Sequence, residues 1–500
     1  MNYSNLGSAQ INLGESWKAI EYYEKALGIA QEIGDRRAEE VYFSNLGDAH
    51  ANLGMARKAI EYYEKALGIA QEIGDKQNES IWLSNLGISY SNLGMARKSI
   101  EYLNNAVMLA HQTSNSSFEA ACLSYLAQMH SLLKDYKTTS EICHEVAALT
   151  EKLEAQTRKA EIFLRLGDLS VELKSFEEAA DRYMEAREIY ASLKLPLDEL
   201  NALIGMLAIH RKLKDAKAFE QTAEEAHALA WQINDPIMRV NALVRLVESL
   251  RFHEEYDRVL KIIDEALALQ PDNPLVLRVK GDVLCDMADY RAAVEILEKV
   301  TQLNPFDSRG FASKGWALEN LGKERTQEAR LVYETLIELN PDNLWAHKGL
   351  ANAMRLLGDT KAAVNKYQWI IEQQEKRDVA DAGTMNMTGW CYYQLEHYDK
   401  AIQLLTNALI LDPDDVSDQF DLALSLMCSG EHSKALQEYQ RGLEKAQSKH
   451  VLHRRGLLYV ALDDLKEALT TKPELRKVKE VQGVQKRLKM VLDQAKASLL

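Results

Sequence analysis

The string KAIEYYEKALGIAQEIGD occupies residues 18–35 and recurs unchanged at residues 58–75. An identical 18-residue stretch at a 40-residue step marks an internal repeat. Other features keep the same beat. Asn-Leu-Gly stands at Asn5, Asn45 and Asn85, and a second set at Asn12, Asn52 and Asn92. Degenerate copies follow at Leu126-Ala127, Leu166-Gly167 and Leu246-Val247. A small residue steps along with them through Ala19, Ala59, Ser99, Thr139 and Ala179. Past residue 270 the step shortens: Gly281 and Gly315 are 34 apart, and Pro271, Pro305, Pro341 and Pro413 fall on the shorter beat. Proline cannot continue a helix, so it suits a repeat end.

Within one unit the periodicity is helical. Phe43, Leu46 and Gly47 share a face at i, i+3, i+4, Asn52-Leu53-Gly54 reads as a turn, and Ala59, Tyr63 and Ala66 line one face of a second helix. Each unit therefore predicts two antiparallel helices. Gly47, Ala59 and Ala66 permit close helix approach, and Phe43 and Tyr63 fill the space between.

The pattern of aromatic-x-x-Leu-Gly, then Ala-x-x-x-Tyr-x-x-Ala, then Pro resembles the tetratricopeptide repeat. Gly281, Tyr290, Ala293 and Pro305 carry it in one unit; Gly389, Tyr392, Tyr398, Ala401, Ala408 and Pro413 carry it in another. The resemblance covers the chain to about residue 470. It implies an all-α fold, a right-handed superhelix of about 12–13 helix-turn-helix repeats. Three segments are expected: 1–273 with units of about 40 residues, 274–470 with units of about 34, and a basic capping helix at 471–500. The longer unit is expected to extend its second helix in place of a proline stop. A reduced thirteenth unit is expected from Lys449, with Gly456 and Ala468 as its small positions.

Composition agrees. Of 500 residues only 24 are Gly and 8 Pro, about half the usual combined share and too few for a loop-rich enzyme or a β-sandwich. Sixty basic against 75 acidic residues give a net charge of −15, which argues against general nucleic-acid binding. The charge divides into −21 up to residue 448 and +6 over 449–500. The five cysteines are widely spaced, odd in number and lack a C-x-x-C, which disfavours a disulfide framework and fits a reducing, cytoplasmic setting. No signal peptide or membrane span is read. Met1 aligns with Val41, inside a helix, so the chain is expected to be part of a longer array or to start at an internal methionine.

No phosphate-binding glycine loop, zincin motif or nucleophile elbow occurs, so catalytic, metal and cofactor sites are expected to be absent. Cys143 and His144 diverge by about 100° on a helix and cannot chelate together; Cys143 reads as a buried thiol. His210, His253, His397 and His432 fall at turns and helix ends and read as solvated. Binding is the expected chemistry. Asn5, Asn45 and Asn85 take the same first-helix position, and a carboxamide can pair with both the N–H and the C=O of an extended peptide. The resemblance implies a peptide groove on the first-helix faces, with asparagine ladders as in kinesin light chains and bacterial pheromone receptors. The same position then becomes Tyr125, Arg165, Gly205 and Arg245; the two arginines suit an acidic partner. Ser4, Ser8, Ser44 and Asp48 stand where the family's carboxylate clamp needs Lys and Asn, so that clamp is not expected. Trp316, Trp345, Trp390 and Tyr393 form a second candidate peptide patch. The expected function is a non-enzymatic scaffold or adaptor binding partner peptides. The alternative is a regulatory or sensor module of a larger signalling protein. Oligomeric state is left open.

Overall fold

The computed structural model describes residues 2–12, 15–251 and 255–498. Met1, Leu13, Gly14 and His253 lie outside them. The described residues hold 26 α-helices. The chain divides into two compact units, Met1–Ser249 with Arg377–Val379, and Leu250–Lys376 with Ala380–Leu500.

In the first unit the helix pairs are α1 (Asn2–Asn12) with α2 (Ser16–Ile33), α3 (Arg36–Asn52) with α4 (Ala56–Ile73), and α5 (Lys76–Asn92) with α6 (Ala96–Gln112). Then come α7 (Ser116–Leu132) with α8 (Tyr136–Glu151), α9 (Gln156–Glu172) with α10 (Phe176–Ser192), and α11 (Pro196–Lys212) with α12 (Ala216–Gln232). Helix α13 (Pro236–Arg251) follows. The second unit continues with α14 (Tyr256–Leu269), α15 (Pro274–Asp286), α16 (Tyr290–Leu303), α17 (Ser308–Asn320) and α18 (Thr326–Leu339). It ends with α19 (Leu344–Leu356), α20 (Thr360–Gln374), α21 (Ala382–Gln394), α22 (Tyr398–Leu411), α23 (Val416–Cys428), α24 (His432–Gln447), α25 (Val451–Thr471) and α26 (Lys479–Ala497). Each unit is a stack of antiparallel pairs in which every helix packs mainly on its chain neighbours.

Local chemistry sets the helix ends. In the first unit a residue with left-handed backbone recurs every twenty positions: Gly34, Gly54, Gly74, Gly94, Ser114 and Lys134, then Lys174, Lys194 and Lys214. It turns the chain between the helices on either side of it, while α8 and α12 end without such a residue. After Gly34 the next residue caps the following helix: Asp35 Oδ1 accepts from Ala38 N at 3.0 Å. In the second unit the proline turns do this differently. The residue two places after proline is the cap: Asp307 accepts from Gly310 N at 3.0 Å and Asn343 from Ala346 N at 3.0 Å. Helix lengths differ at both positions of the pair, 17 and 18 residues for α3 and α4 against 13 and 14 for α15 and α16. The first helix of the pair is thus longer too, beyond the second-helix extension expected from the sequence.

The small residues sit where helices touch. Ala19, Ala59, Ser99, Thr139 and Ala179 are all fully buried. A Cβ at Gly47 would stand 2.6 Å from Tyr63 Cε1, too close for any side chain without displacement. The core is accordingly a series of local clusters, such as Ala59, Ile60, Tyr63, Leu86 and Tyr90, and length adds clusters in line.

The segment from Lys449 departs from expectation. Gly456 and Ala468 lie on one continuous 21-residue helix, α25, and do not form a reduced helix pair. No proline or glycine interrupts LLYVALDDLKEALTT, so nothing stops the helix. Gly456 serves a different contact: a Cβ there would meet Ala288 Cβ at 2.8 Å, in the turn between α15 and α16. Helix α26 buries Val481, Val484, Leu488 and Leu492, packing on α24 and α25.

Candidate functional site

A recurring contact shapes the inner helix faces. The tyrosine of the second helix reaches through its pair and hydrogen-bonds the residue that follows the small position on the first. Tyr63 Oη donates to Asp48 Oδ1 at 2.6 Å, Tyr183 Oη to Asp168 Oδ1 at 2.6 Å, and Tyr367 Oη to Asn352 Oδ1 at 2.6 Å. Tyr23 and Ser8 hydroxyls are 3.2 Å apart, whereas Tyr333, whose pair has Trp316 at that position, donates to Glu319 Oε2 one turn further on at 2.8 Å. Each tyrosine thus fixes a polar group from behind. Loss of solvent and the facing carboxylate push the Tyr63 and Tyr183 hydroxyls far above the ordinary range, so they stay donors. Sequence reading treated these tyrosines as space fillers. A tyrosine fifteen residues after Ser, Asp or Asn was the available signal.

In the first unit, Asn5 lines a depression of about 430 Å³ with Ser4, Asp35, Arg37 and Val41. Asn45 and Asn85 are half-buried, outside that depression. Further along, each arginine reaches back to the preceding first helix. The Arg165 guanidinium stands 3.9 Å over the Tyr125 ring, and Arg245 Nη1 donates to Asn201 Oδ1 at 2.9 Å. These arginines are engaged within the chain. Cys143 is buried and its thiol is pushed up to about 11, mainly by burial. His432 differs from expectation: its Nε2 is buried, so it is not simply a solvated histidine.

The second unit holds a cavity of about 680 Å³, within the range of ligand sites. Trp316 of α17, Trp345 of α19 and Trp390 of α21 line it together. Trp316 and Trp345 are about half exposed, at 46% and 50%. Tyr393 does not line it. It stacks behind Trp390 at 5.2 Å, with its hydroxyl 3.8 Å from Cys428 Sγ. Asn352 ties the floor together: its amide donates to Glu319 at 2.7 Å while its oxygen accepts from Tyr367 and, at 3.3 Å, from Trp390 Nε1.

Helix α25 forms the opposite wall through Tyr459, Val460, Asp463, Asp464 and Glu467. It is held at both ends. His450, its cap, meets Tyr256 edge-on at 5.1 Å, and Arg455 donates to the Met287 and Ala288 carbonyls at 3.3 Å. Near the other end Glu467 pairs with Arg355 of α19. Asp418 and Asp421 of α23 share the Asn386 amide at 2.6 and 2.9 Å. Burial, with neighbouring aspartates adding, pushes Asp418 up to about 7. Burial pushes Asp421 up to about 6 and Asp464 well above the carboxylate range. The Asp-rich run 412–421 and the pair Asp463-Asp464 were visible in the sequence. What was missing was α25, which brings them together.

Among the described residues no group of three or more His, Cys, Asp or Glu is placed to hold a metal ion, and no helix is long and apolar enough to cross a membrane. Sequence profiles of the tetratricopeptide repeat match residues 2–33, 37–112 and 382–415. The chain carries tetratricopeptide repeats. It is 24% identical over 316 residues to the TPR repeat-containing protein MJ1428 of Methanocaldococcus jannaschii, covering 53% of this chain and 55% of that protein. It is 30% identical over 186 residues to the human protein O-mannosyl-transferase TMTC1, covering 35% of this chain and 20% of that protein. The chain thus spans about half the length of the first relative and a fifth of the second. Among solved structures, yeast Tom70 aligns with a TM-score of 0.39 at 15% identity, covering 95% of this chain and 98% of that one.

Proposed function

We propose that this repeat array is a non-catalytic scaffold that binds extended segments of partner proteins along its first-helix faces. One observation carries the reading: three tryptophans from three successive first helices converge on one 680 Å³ cavity, two of them half exposed. Large aromatic side chains in a concave, partly polar setting suit peptide anchors. Asn5, Asn45 and Asn85 supply a second binding row in the first unit. Their carboxamides make no hydrogen bond with other described residues, which leaves them available to a peptide backbone. The reading keeps the two arrays, 1–273 and 274–470, with 471–500 as a cap. It also keeps a cytoplasmic setting, supported by five unpaired thiols.

Selection of a random peptide library on the full chain, followed by hydrogen exchange with a selected peptide, tests this. The expected result is added protection in α17, α19 and α21, or in α1, α3 and α5. Failure to select any peptide, or protection confined to the second helices of the pairs, would overturn it.

A further inference from the structure

The charges around the second-unit cavity do not balance. Six lining carboxylates, Glu319, Asp412, Asp415, Asp418, Asp421 and Asp464, have no ion-pair partner among the described residues. Glu467 and Asp463 are paired, with Arg355 and Lys466. Against the six stand two unpaired lining lysines, Lys348 and the exposed Lys323. Outside the cavity, Lys445 of α24 faces Asp412 and Asp415. Asp464 accepts no hydrogen bond from the described residues; it faces Asp421, Glu467 and Asp463, and Lys348 faces both it and Asp421. Half-buried carboxylates that outnumber the cations around them favour a further cationic group in the space they line.

The aromatic lining points the same way. The Lys348 ammonium already sits 5.1 Å from the Trp345 ring centroid and 5.7 Å from that of Trp390, within cation–π range. The chain's own side chain thus demonstrates the chemistry that these walls accept. Trp316, on α17, has no cation over its face among the described residues and is half exposed. An indole face, a surplus of four carboxylates and room for a side chain occur together.

We propose that this cavity binds a lysine or arginine side chain of the partner segment, with Trp316 stacking on the cation and Asp418, Asp421 and Asp464 accepting its hydrogen bonds. The proposal rests on the peptide-scaffold reading and names the chemistry of its partner. The apolar stem of the side chain lies along the tryptophans and the charged head reaches the aspartates. Helix α25 is part of the site, since it carries Asp464.

The test is fluorescence anisotropy of the full chain with three labelled peptides of one scaffold carrying Lys, Gln or Glu at alternate positions. Spermine is titrated separately. The lysine peptide is expected to bind about tenfold more tightly than the glutamine peptide, a 1.4 kcal/mol preference. Asp418→Asn with Asp421→Asn is expected to remove most of that preference. Trp316→Ala is expected to reduce it about fivefold and Trp316→Phe less, the latter covering any loss of folding in the alanine variant. Asp181→Asn with Glu188→Gln, the same charge change on exposed first-unit positions, is expected to leave it within about twofold. Equal binding of lysine and glutamine peptides would sink this proposal and leave the scaffold reading standing. So would a control pair as damaging as the cavity pair, or spermine binding as tightly as the lysine peptide. Binding of none of the three peptides, with none selected from the library, would sink both.

Discussion

Gly47 and Gly68 are both mid-helix glycines, one on α3 and one on α4, yet the same change should act on them with opposite sign. Replacing either with alanine adds about 0.8–1 kcal/mol of helix propensity. At Gly68 nothing stands within 4 Å of the new Cβ, so that gain is kept. At Gly47 the Cβ meets Tyr63 Cε1 at 2.6 Å and Cδ1 at 2.8 Å. The ring cannot swing aside cheaply, because it is buried and its hydroxyl is bonded to Asp48 at 2.6 Å. Overpacking of this kind costs about 1–3 kcal/mol. The propensity terms cancel between the two variants, so their difference isolates the contact at about 1–3 kcal/mol. Because a repeat array does not unfold as one two-state unit, the assay is native-state hydrogen exchange on the α3 and α4 amides. Gly68→Ala should slow exchange there relative to Gly47→Ala by about one to two orders of magnitude. Equal protection in the two variants would refute the claim that glycine is kept at position 47 for helix approach.

Three further outcomes follow from particular atoms. Ser99 is fully buried at a position held by alanine in the first two units, and its hydroxyl has no partner among the described residues; Ser99→Ala should stabilise α6 by about 1 kcal/mol, read as a raised local exchange midpoint. Lys194 holds left-handed backbone at φ 57°; Lys194→Gly should stabilise by about 0.5–1 kcal/mol, and Lys194→Ala should not, in denaturant melts. The raised Asp418 and Asp421 bind protons in the folded state at a pH where the unfolded chain has released them. Folding of the second unit is therefore favoured as pH falls from 8 towards 5, by on the order of a few kcal/mol at most, and the gain is lost as pH rises through about 6 and 7. Exchange of 416–428, corrected for intrinsic rates, should be slower at pH 5.5 than at pH 8, and Asp418→Asn with Asp421→Asn should flatten that difference.

The fold was legible because it is a one-dimensional problem. Repeating a small residue, a tyrosine and a stop at fixed intervals settles each helix pair from local chemistry and one neighbour, and Ala19, Ala59 and Ser99 are buried where that rule puts them. Helix ends were less legible. A stop by glycine or proline can be read, but Lys134, Lys174, Lys194 and Lys214 hold the same left-handed turn without a residue type that announces it. Repetition supplied the information that residue identity did not.

The candidate site was legible in part for the opposite reason. Trp316, Trp345 and Trp390 stand out because they break the repeat, and the structure brings those three to one cavity. Tyr393 followed the same sequence logic but turned inward, since its neighbour Trp390 takes the cavity side and its hydroxyl lies against Cys428. The aspartates were unreadable as a group. Asp418 and Asp421 lie on α23 and Asp464 on α25, and only the return of α25 along the first helices sets them on one space. That return is fixed by contacts such as Arg355 with Glu467, 112 residues apart, and Arg455 with Ala288, 167 apart. A periodic rule contains no term for such distances. In a repeat array, then, the repeated residues specify the scaffold, and chemistry collects where the period fails: at the tryptophans, at the Asp-rich run, and at the one long helix, α25, that replaces a repeat.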